Sequence, residues 1–323
     1  MTEVPVLLDV VRGGRVESRH RGAVVLLGPG GAVETAAGEI DAPVFARSSF
    51  KPMQASTLVR AGWQGSREAV ALAAASHNGE GVHRDGVRRT LAAARLGEDA
   101  LGCPADLPGE RNALIDYVAG GGQPAPLCHN CSGKHAAMVA TCVAAGWDVG
   151  GYLAPDHPLQ RAVVAEIERL CGAPIAASSV DGCGAPAHAV PLVALARGFA
   201  ALAVAAPDTP EATVVAAVRA HPQLVGGTGR AVSELLAEVD GLLAKDGAEG
   251  VWAAALPDGR AFAAKVEDGA ARALPPLLAA ALRYWGFDGP AVRRWSAVDV
   301  TGGGGVVGSV RPSAELTALL GLD

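Results

Sequence analysis

From residue 51 to residue 243 the chain reads as a succession of alanine-rich helices, and β-forming runs stand before and after that block. This order constrains the fold more than any other feature. Strands, then a block of helices, then strands again predict an α+β protein whose terminal strands share one sheet. The first strands are expected at 4–11, 23–27 and 32–35, punctuated by Gly13-Gly14 and Gly28-Pro29-Gly30-Gly31. Apolar periodicity predicts helices over 52–61, 67–75, 87–96, 134–145, 159–170, 187–199, 211–220 and 229–243. β character returns over 251–256 and 261–266, and a last helix over 275–285 precedes an irregular glycine-rich tail. The expected organisation is a single domain over 1–323, with a sheet lobe from about 1–50 and 250–323 and a helical lobe from about 51–249.

Half of the 323 residues are hydrophobic, enough for a substantial core or for two lobes around one cleft. The net charge of -6 argues against a nucleic-acid or anionic-membrane partner, either of which would want a basic face. No targeting segment is recognisable, and the alanine-rich stretch at 199–206 is too short to span a bilayer. A cytoplasmic protein is therefore expected, one whose six cysteines remain thiols to be read for metal or catalysis before disulfides.

Lysine is conspicuously rare. Of 27 basic residues only Lys51, Lys134, Lys245 and Lys265 are lysines, and lysine, unlike arginine, can lose its proton and act as a base or a ligand. Lys245, beside Asp246-Gly247 in an apparent loop, is read as incidental. Lys51 is different, because it closes an S-x-x-K run with Ser48 where a strand gives way to a helix. Residues three apart share a helix face, so the hydroxyl and amine are within reach of each other. A neutral amine can activate a serine hydroxyl, and free N–H groups at a helix start can stabilise an oxyanion. Ser49 is one residue off that geometry. Ser76-His77-Asn78 adds an S-x-N triplet, and Lys265 lies on a later strand. Serine β-lactamases and penicillin-binding proteins combine such parts in the same order. On this reading Lys265 lowers the pKa of Lys51 or serves Ser76 as a second base.

Two cysteine-bearing loops each open a helix: Cys128-His129-Asn130-Cys131-Ser132-Gly133-Lys134-His135, and Asp181-Gly182-Cys183-Gly184. A zinc site drawing on both loops, a CxxC redox pair and plain buried thiols all remain open on residue chemistry. The absence of a second CxxC argues against a zinc finger. Cys103, Cys142 and Cys171 are assigned to core packing, and His129 to a hydrogen-bonded loop position. Thr301-Gly302-Gly303-Gly304-Gly305 is treated as a flexible glycine turn. Gly226-Gly227-Thr228-Gly229 lacks the G-K-S/T of a phosphate loop.

Taken in order from Arg47 to Lys265, the pieces R-S-S-F-K-P-M-Q, S-H-N-G-E, H-N-C-S-G-K-H, D-G-C-G-A-P, H-P-x-L-V-G-G and G-A-E-G-V form one pattern. The chain thereby resembles the asparaginase II family, the thermolabile and constitutive rhizobial-type L-asparaginases. The resemblance implies a serine β-lactamase/glutaminase-like fold, an L-asparagine amidohydrolase activity and a homodimer. It implies Ser48 as nucleophile with Lys51 as its base, and Ser76 with Lys265 as a second serine–lysine pair. Cys131, Lys134 and Cys183 match the family's zinc-binding set, and Arg47, His135 and Asp181 match its substrate-holding positions. Asp181 suits an α-ammonium and Arg47 an α-carboxylate. Cys128 departs from the pattern by placing an extra thiol beside the motif. The rivals are another serine–lysine amidohydrolase such as a glutaminase, or a non-catalytic zinc- or thiol-dependent regulatory protein.

Overall fold

A computed structural model describes residues 4–322. Its strands are β1 (Val6–Arg12), β2 (Arg15–Leu27), β3 (Val33–Ala37), β4 (Pro43–Phe45), β5 (Ala177–Val180), β6 (Pro186–Pro191), β7 (Leu243–Gly247), β8 (Val251–Ala255), β9 (Ala261–Val266), β10 (Val298–Gly302) and β11 (Gly305–Pro312). The main sheet runs β10-β11-β1-β2-β9-β8-β7, with β3 added on β2. Both ends of the chain thus build one antiparallel sheet, as the order of elements predicts. β8 and β9 are buried almost throughout, because the Leu192–Ala203 and Leu274–Tyr284 helices both pack on them.

The helical lobe is organised around the Lys51–Arg60 helix. It is buried from Lys51 to Leu58 and contacts the helices Arg67–Ala73, Ser132–Ala145, Pro158–Cys171 and Pro210–Ala220. Its buried hydroxyls are satisfied internally: Thr57 Oγ1 donates to Met53 O at 3.0 Å, and Ser56 Oγ donates to Glu166 Oε1 at 3.0 Å. Among the described residues no helix is long and apolar enough to cross a membrane.

Three expectations need correction. Residues 187–199 are not one helix: 186–191 form β6, the middle strand of a small sheet ordered β4-β6-β5, and the helix starts at Leu192. Pro191 explains this, since inside a helix it would donate no hydrogen bond and its ring would strike the carbonyl of Ala187. The helix expected over 229–243 stops at Glu238, and Lys245 lies on β7, the edge strand of the main sheet, rather than in a loop. The glycine-rich tail is regular, because β10 and β11 form a hairpin whose tip residues, Gly303 and Gly304, have φ of 57° and 84°. Two positive φ values at a two-residue turn match the right-handed strand twist, which is why glycine suits both positions.

One glycine sets how closely the lobe packs. A Cβ on Gly133, in the first turn of the Ser132–Ala145 helix, would come within 2.5 Å of Leu72 O. That approach fixes the loop carrying Cys131 and Lys134 against the segment leading into Ser76. Gly133→Ala is expected to destabilise the protein by about 1–3 kcal/mol, the usual cost of overpacking, read as a lowered urea midpoint at unchanged m-value.

Candidate active site

Ser48 is delivered by a short 3₁₀ segment, Arg47–Phe50, that leads directly into the Lys51–Arg60 helix. Arg47 enters it with φ of +50°, a left-handed conformation that costs a non-glycine residue roughly 1–2 kcal/mol. The Arg47 side chain is tied down: Nε and Nη2 donate to Asp181 Oδ1 at 2.9 and 2.6 Å. The next serine is fixed as well, with Ser49 fully buried and its Oγ donating to Lys245 O at 3.1 Å. Ser48, half-buried, borders a cavity of about 430 Å³ shared with Ser76, Asn130, Arg230 and Asp246.

Lys51 is 1 % exposed, and its Nζ donates to Ser76 Oγ at 2.9 Å and to Ala75 O. The amine of the S-x-x-K run is therefore bonded across the site to the S-x-N serine, with Ser48 beside it rather than as its partner. Ser76 is held by its backbone: Ser76 N donates to Val225 O at 3.0 Å, His77 N to Asn130 O at 3.1 Å and Asn78 N to Gly226 O at 2.8 Å. These bonds knit together three of the sequence motifs, 76–79, 129–135 and 221–227. Asn78 Nδ2 donates to Glu80 Oε1 and to Thr228 O, both at 3.0 Å, which closes the wall behind Ser76. His77 is buried and stacked on His83 with centroids 4.9 Å apart, and burial pushes its pKa well down, so it stands neutral.

The lysine on the strand that meets the Arg47–Phe50 segment is Lys245, not Lys265. Lys265 is half-buried on β9, donates to Val266 O, and borders a separate cavity with Val4, Ala23, Glu39, Glu267 and Glu315. β8 lies between β9 and β7, so Lys265 sits two strand spacings, roughly 10 Å, further across the sheet than the edge strand that meets Ser48. Lys245 is fully buried on that edge strand, donating to Asp246 O at 2.7 Å and Asp246 Oδ1 at 2.5 Å. Burial pushes its pKa down to about 8; Asp246 opposes the shift and the nearby Lys51 adds to it. Burial alone would raise the Asp246 carboxyl, but Lys245 and Arg230 hold it well below its usual range. Arg230 Nη2 donates to Asp246 Oδ2 at 2.7 Å. Lys245, Asp246 and Arg230 are the residues that sequence reasoning missed. The triplet Lys245-Asp246-Gly247 on a strand was the available signal, since it has the K-x-G form that accompanies S-x-x-K and S-x-N.

The cysteine loops do meet. Lys134 Nζ donates to Cys183 Sγ at 3.2 Å, and Cys131 Sγ lies 3.0 Å from Asn130 Oδ1; Lys134, Cys131 and Cys183 are buried. Cys131 and Cys183 share a hydrogen bond that holds the Cys131 pKa well down and pushes that of Cys183 up. Burial opposes the Lys134 charge, yet the sulfurs of Cys183 and Cys131 raise its pKa above the usual value. Two thiols and an amine converging in a buried place suit zinc by donor type. Among the described residues no group of three or more His, Cys, Asp and Glu side chains gathers as a metal site. Lys134 is therefore indispensable to any such set here.

The remaining residues separate by burial. His135 is fully buried and not among the residues lining either cavity beside Ser48; its Nδ1 lies 2.6 Å from Tyr152 Oη, and its Nε2 has no partner among the described residues. Arg47 and Asp181 engage each other instead of standing open for a ligand. His129 Nδ1 accepts from Cys131 N at 3.0 Å, as expected of a loop histidine. Cys128 meets Tyr117 rather than the other two loop thiols. Burial raises Cys103 and Cys171 to about 12 and Cys142 to about 11, as inert core thiols require.

Comparison with known proteins places these observations. No curated protein matches the chain. Among solved structures, Mglu in its native form is 17% identical over 77% of this chain and 59% of its own, with a TM-score of 0.42. Mglu in its tris and glutamate form is 16% identical over 83% and 60%, with a TM-score of 0.41. A beta-lactamase from Mycobacterium bovis is 14% identical over 77% and 88%, with a TM-score of 0.42. The chain thus spans about three-fifths of the length of the Mglu structures. The family model of L-asparaginase II matches residues 8–312, and with Ser48, Lys51, Ser76, Cys131, Lys134 and Cys183 all inside that span, the chain belongs to the L-asparaginase II family.

Proposed function

We propose that the protein hydrolyses L-asparagine to L-aspartate and ammonia through an ester on Ser48. One observation carries the reading: a buried lysine amine bonded at 2.9 Å to Ser76 Oγ, beside a second serine, Ser48, on a cavity of about 430 Å³. Ser48 Oγ attacks the side-chain amide carbon, and its proton passes to Lys51 acting as a neutral amine. The bonded Ser76 hydroxyl relays a proton to the leaving nitrogen, which departs as ammonia. Water then attacks the ester, returns the Ser48 proton and releases aspartate. Lys245 places a second amine beside the first, so that two ammonium groups are not both favoured in one buried space. Amide hydrolysis at this site agrees with membership of the L-asparaginase II family.

Zinc is part of the proposal. Cys131, Lys134 and Cys183 would hold it, with Lys134 as a neutral amine, and the ion would supply a fixed positive charge that ties the two loops together. The nucleophile is Ser48, so the metal organises the pocket and leaves the bond-making to the serine and lysines.

Ser48→Ala is expected to lower ammonia release from L-asparagine by at least about a thousandfold with the fold retained by circular dichroism. Mass spectrometry of the wild-type protein with a slow substrate should find the acyl group on Ser48; an adduct on Ser76 would reverse the two roles. Ammonia release from L-glutamine and the D-forms measures selectivity in the same assay.

Lys245, pushed down to about 8, loses its charge as pH rises through that value, and kcat/KM should then fall through an inflection near 8, because the positive charge that disfavours a second ammonium beside it is gone. Lys245→Arg, which keeps the charge and cannot lose its proton, should abolish that inflection. Its persistence in the variant would assign the inflection to another group.

Cys183→Ser should lose bound zinc by elemental analysis and raise KM more than it lowers kcat, an effect that chelation of the wild-type protein should reproduce. Purified protein without zinc, whose kinetic constants do not respond to added zinc, would remove the metal from the mechanism.

A further inference from the structure

Two arginines flank Ser48, and they are not equivalent. Arg47 spends Nε and Nη2 on the same oxygen of Asp181, which also accepts from Gly182 N at 2.7 Å. The space bordered by Arg47, Ser48, Lys51, Lys134 and Asp181 is about 10 Å³, room for no more than one water. A substrate reaching Arg47 would first have to break a doubly bonded, partly buried ion pair and open that space.

Arg230 stands on the open side. It immediately precedes the Ala231–Glu238 helix and borders the cavity of about 430 Å³ that also holds Ser48 and Ser76. Its side chain is 37% exposed, and its guanidinium makes two hydrogen bonds, Nη2 to Asp246 at 2.7 Å and Nη1 to Asn78 Oδ1 at 3.4 Å. A guanidinium carries five N–H donors, so three remain for a ligand. The local charge favours an anion, because Lys245 and Arg230 share a single carboxylate, Asp246. Asp246 and Asn78 also hold the guanidinium in one orientation, which reduces the entropy lost when it binds.

We infer that Arg230, and not Arg47, receives the carboxylate of the substrate, making it the residue that selects an amino-acid side-chain amide over a simple amide. The Arg47–Asp181 pair then acts as a positioning element, holding the left-handed turn that presents Ser48. This inference rests on the proposed amidohydrolase activity and specifies the substrate class of the same site.

The test compares each amino-acid amide with its analogue lacking the α-carboxylate: L-asparagine with 3-aminopropanamide, and L-glutamine with 4-aminobutanamide. The readout is the ratio of kcat/KM within a pair for the wild-type protein, Arg230→Gln, Arg230→Lys and Arg47→Gln. Loss of a charge-assisted hydrogen bond to the carboxylate should shrink the ratio by about 30- to 100-fold in Arg230→Gln, chiefly through KM. Arg230→Lys keeps the charge beside Asp246 but loses the planar fork, and should shrink it by about fivefold; this variant decides the matter if Arg230→Gln fails to fold. Arg47→Gln should slow both members of a pair alike. A ratio unchanged in both Arg230 variants, or one that collapses in Arg47→Gln instead, overturns the assignment while leaving the amidohydrolase intact. Failure of the wild-type protein to release ammonia from asparagine, with turnover of glutamine, overturns the asparagine reading alone, since the glutamine pair still reports on Arg230. Turnover of neither amino acid overturns both.

Discussion

The site depends on keeping amines out of water. Lys51, Lys134 and Lys245 are 1, 2 and 0 % exposed, and a buried ammonium without compensation would cost several kcal/mol. Each is compensated differently. Lys51 has a hydroxyl and a carbonyl, Lys134 has two sulfurs, and Lys245 has the Asp246 carboxylate. Those partners come from the 75–78 loop, from both cysteine loops and from the edge of the main sheet. The three amines can be buried together only when helices, loops and sheet are assembled, so burying them and packing the helices on the sheet are one problem.

Ser48 lies where these parts meet, and the backbone there is strained to suit. The left-handed Arg47 is stabilised by its carboxylate partner 134 residues away, while Ser49 is pinned to β7. Strain at such a point is tolerable because the neighbours determine the conformation many times over. The result is a serine with a closed, ion-paired side toward Asp181 and an open, electropositive side toward Arg230. That asymmetry gives a substrate one direction of approach.

Much of the fold was legible. β-forming ends around a helical middle did share a sheet, because a sheet needs only a hydrophobic face and closable edges, which local patterning records. Misreadings fell where a local rule competed with tertiary pairing. Alanine-rich 187–199 has helical character throughout, but Pro191 and the neighbouring strands β4 and β5 turned its start into β6. Gly303 and Gly304 do form a turn, as expected, but the tail around them read as irregular and became a hairpin only because β11 pairs with β1 and β10.

For the site, residue chemistry alone determined which groups mattered: a serine three before a lysine, an S-x-N triplet, and two cysteine loops in a chain nearly devoid of lysine. It also determined the family, because several short motifs in fixed order leave little room for another. Only the tertiary structure decided which late lysine lies against the segment that carries Ser48. Lys245 opens a K-x-G triplet just before A-E-G, a faint local signal; sheet order makes it decisive, putting Lys245 on the edge strand against the segment that carries Ser48 and Lys265 two strands away. In the same way Arg47 is adjacent to Ser48 in sequence yet engaged by Asp181, whereas Arg230, 182 residues from Ser48 along the chain, borders its cavity. Sequence adjacency measures distance along the backbone, but a charge acts through space, and that distance exists only once the chain has folded.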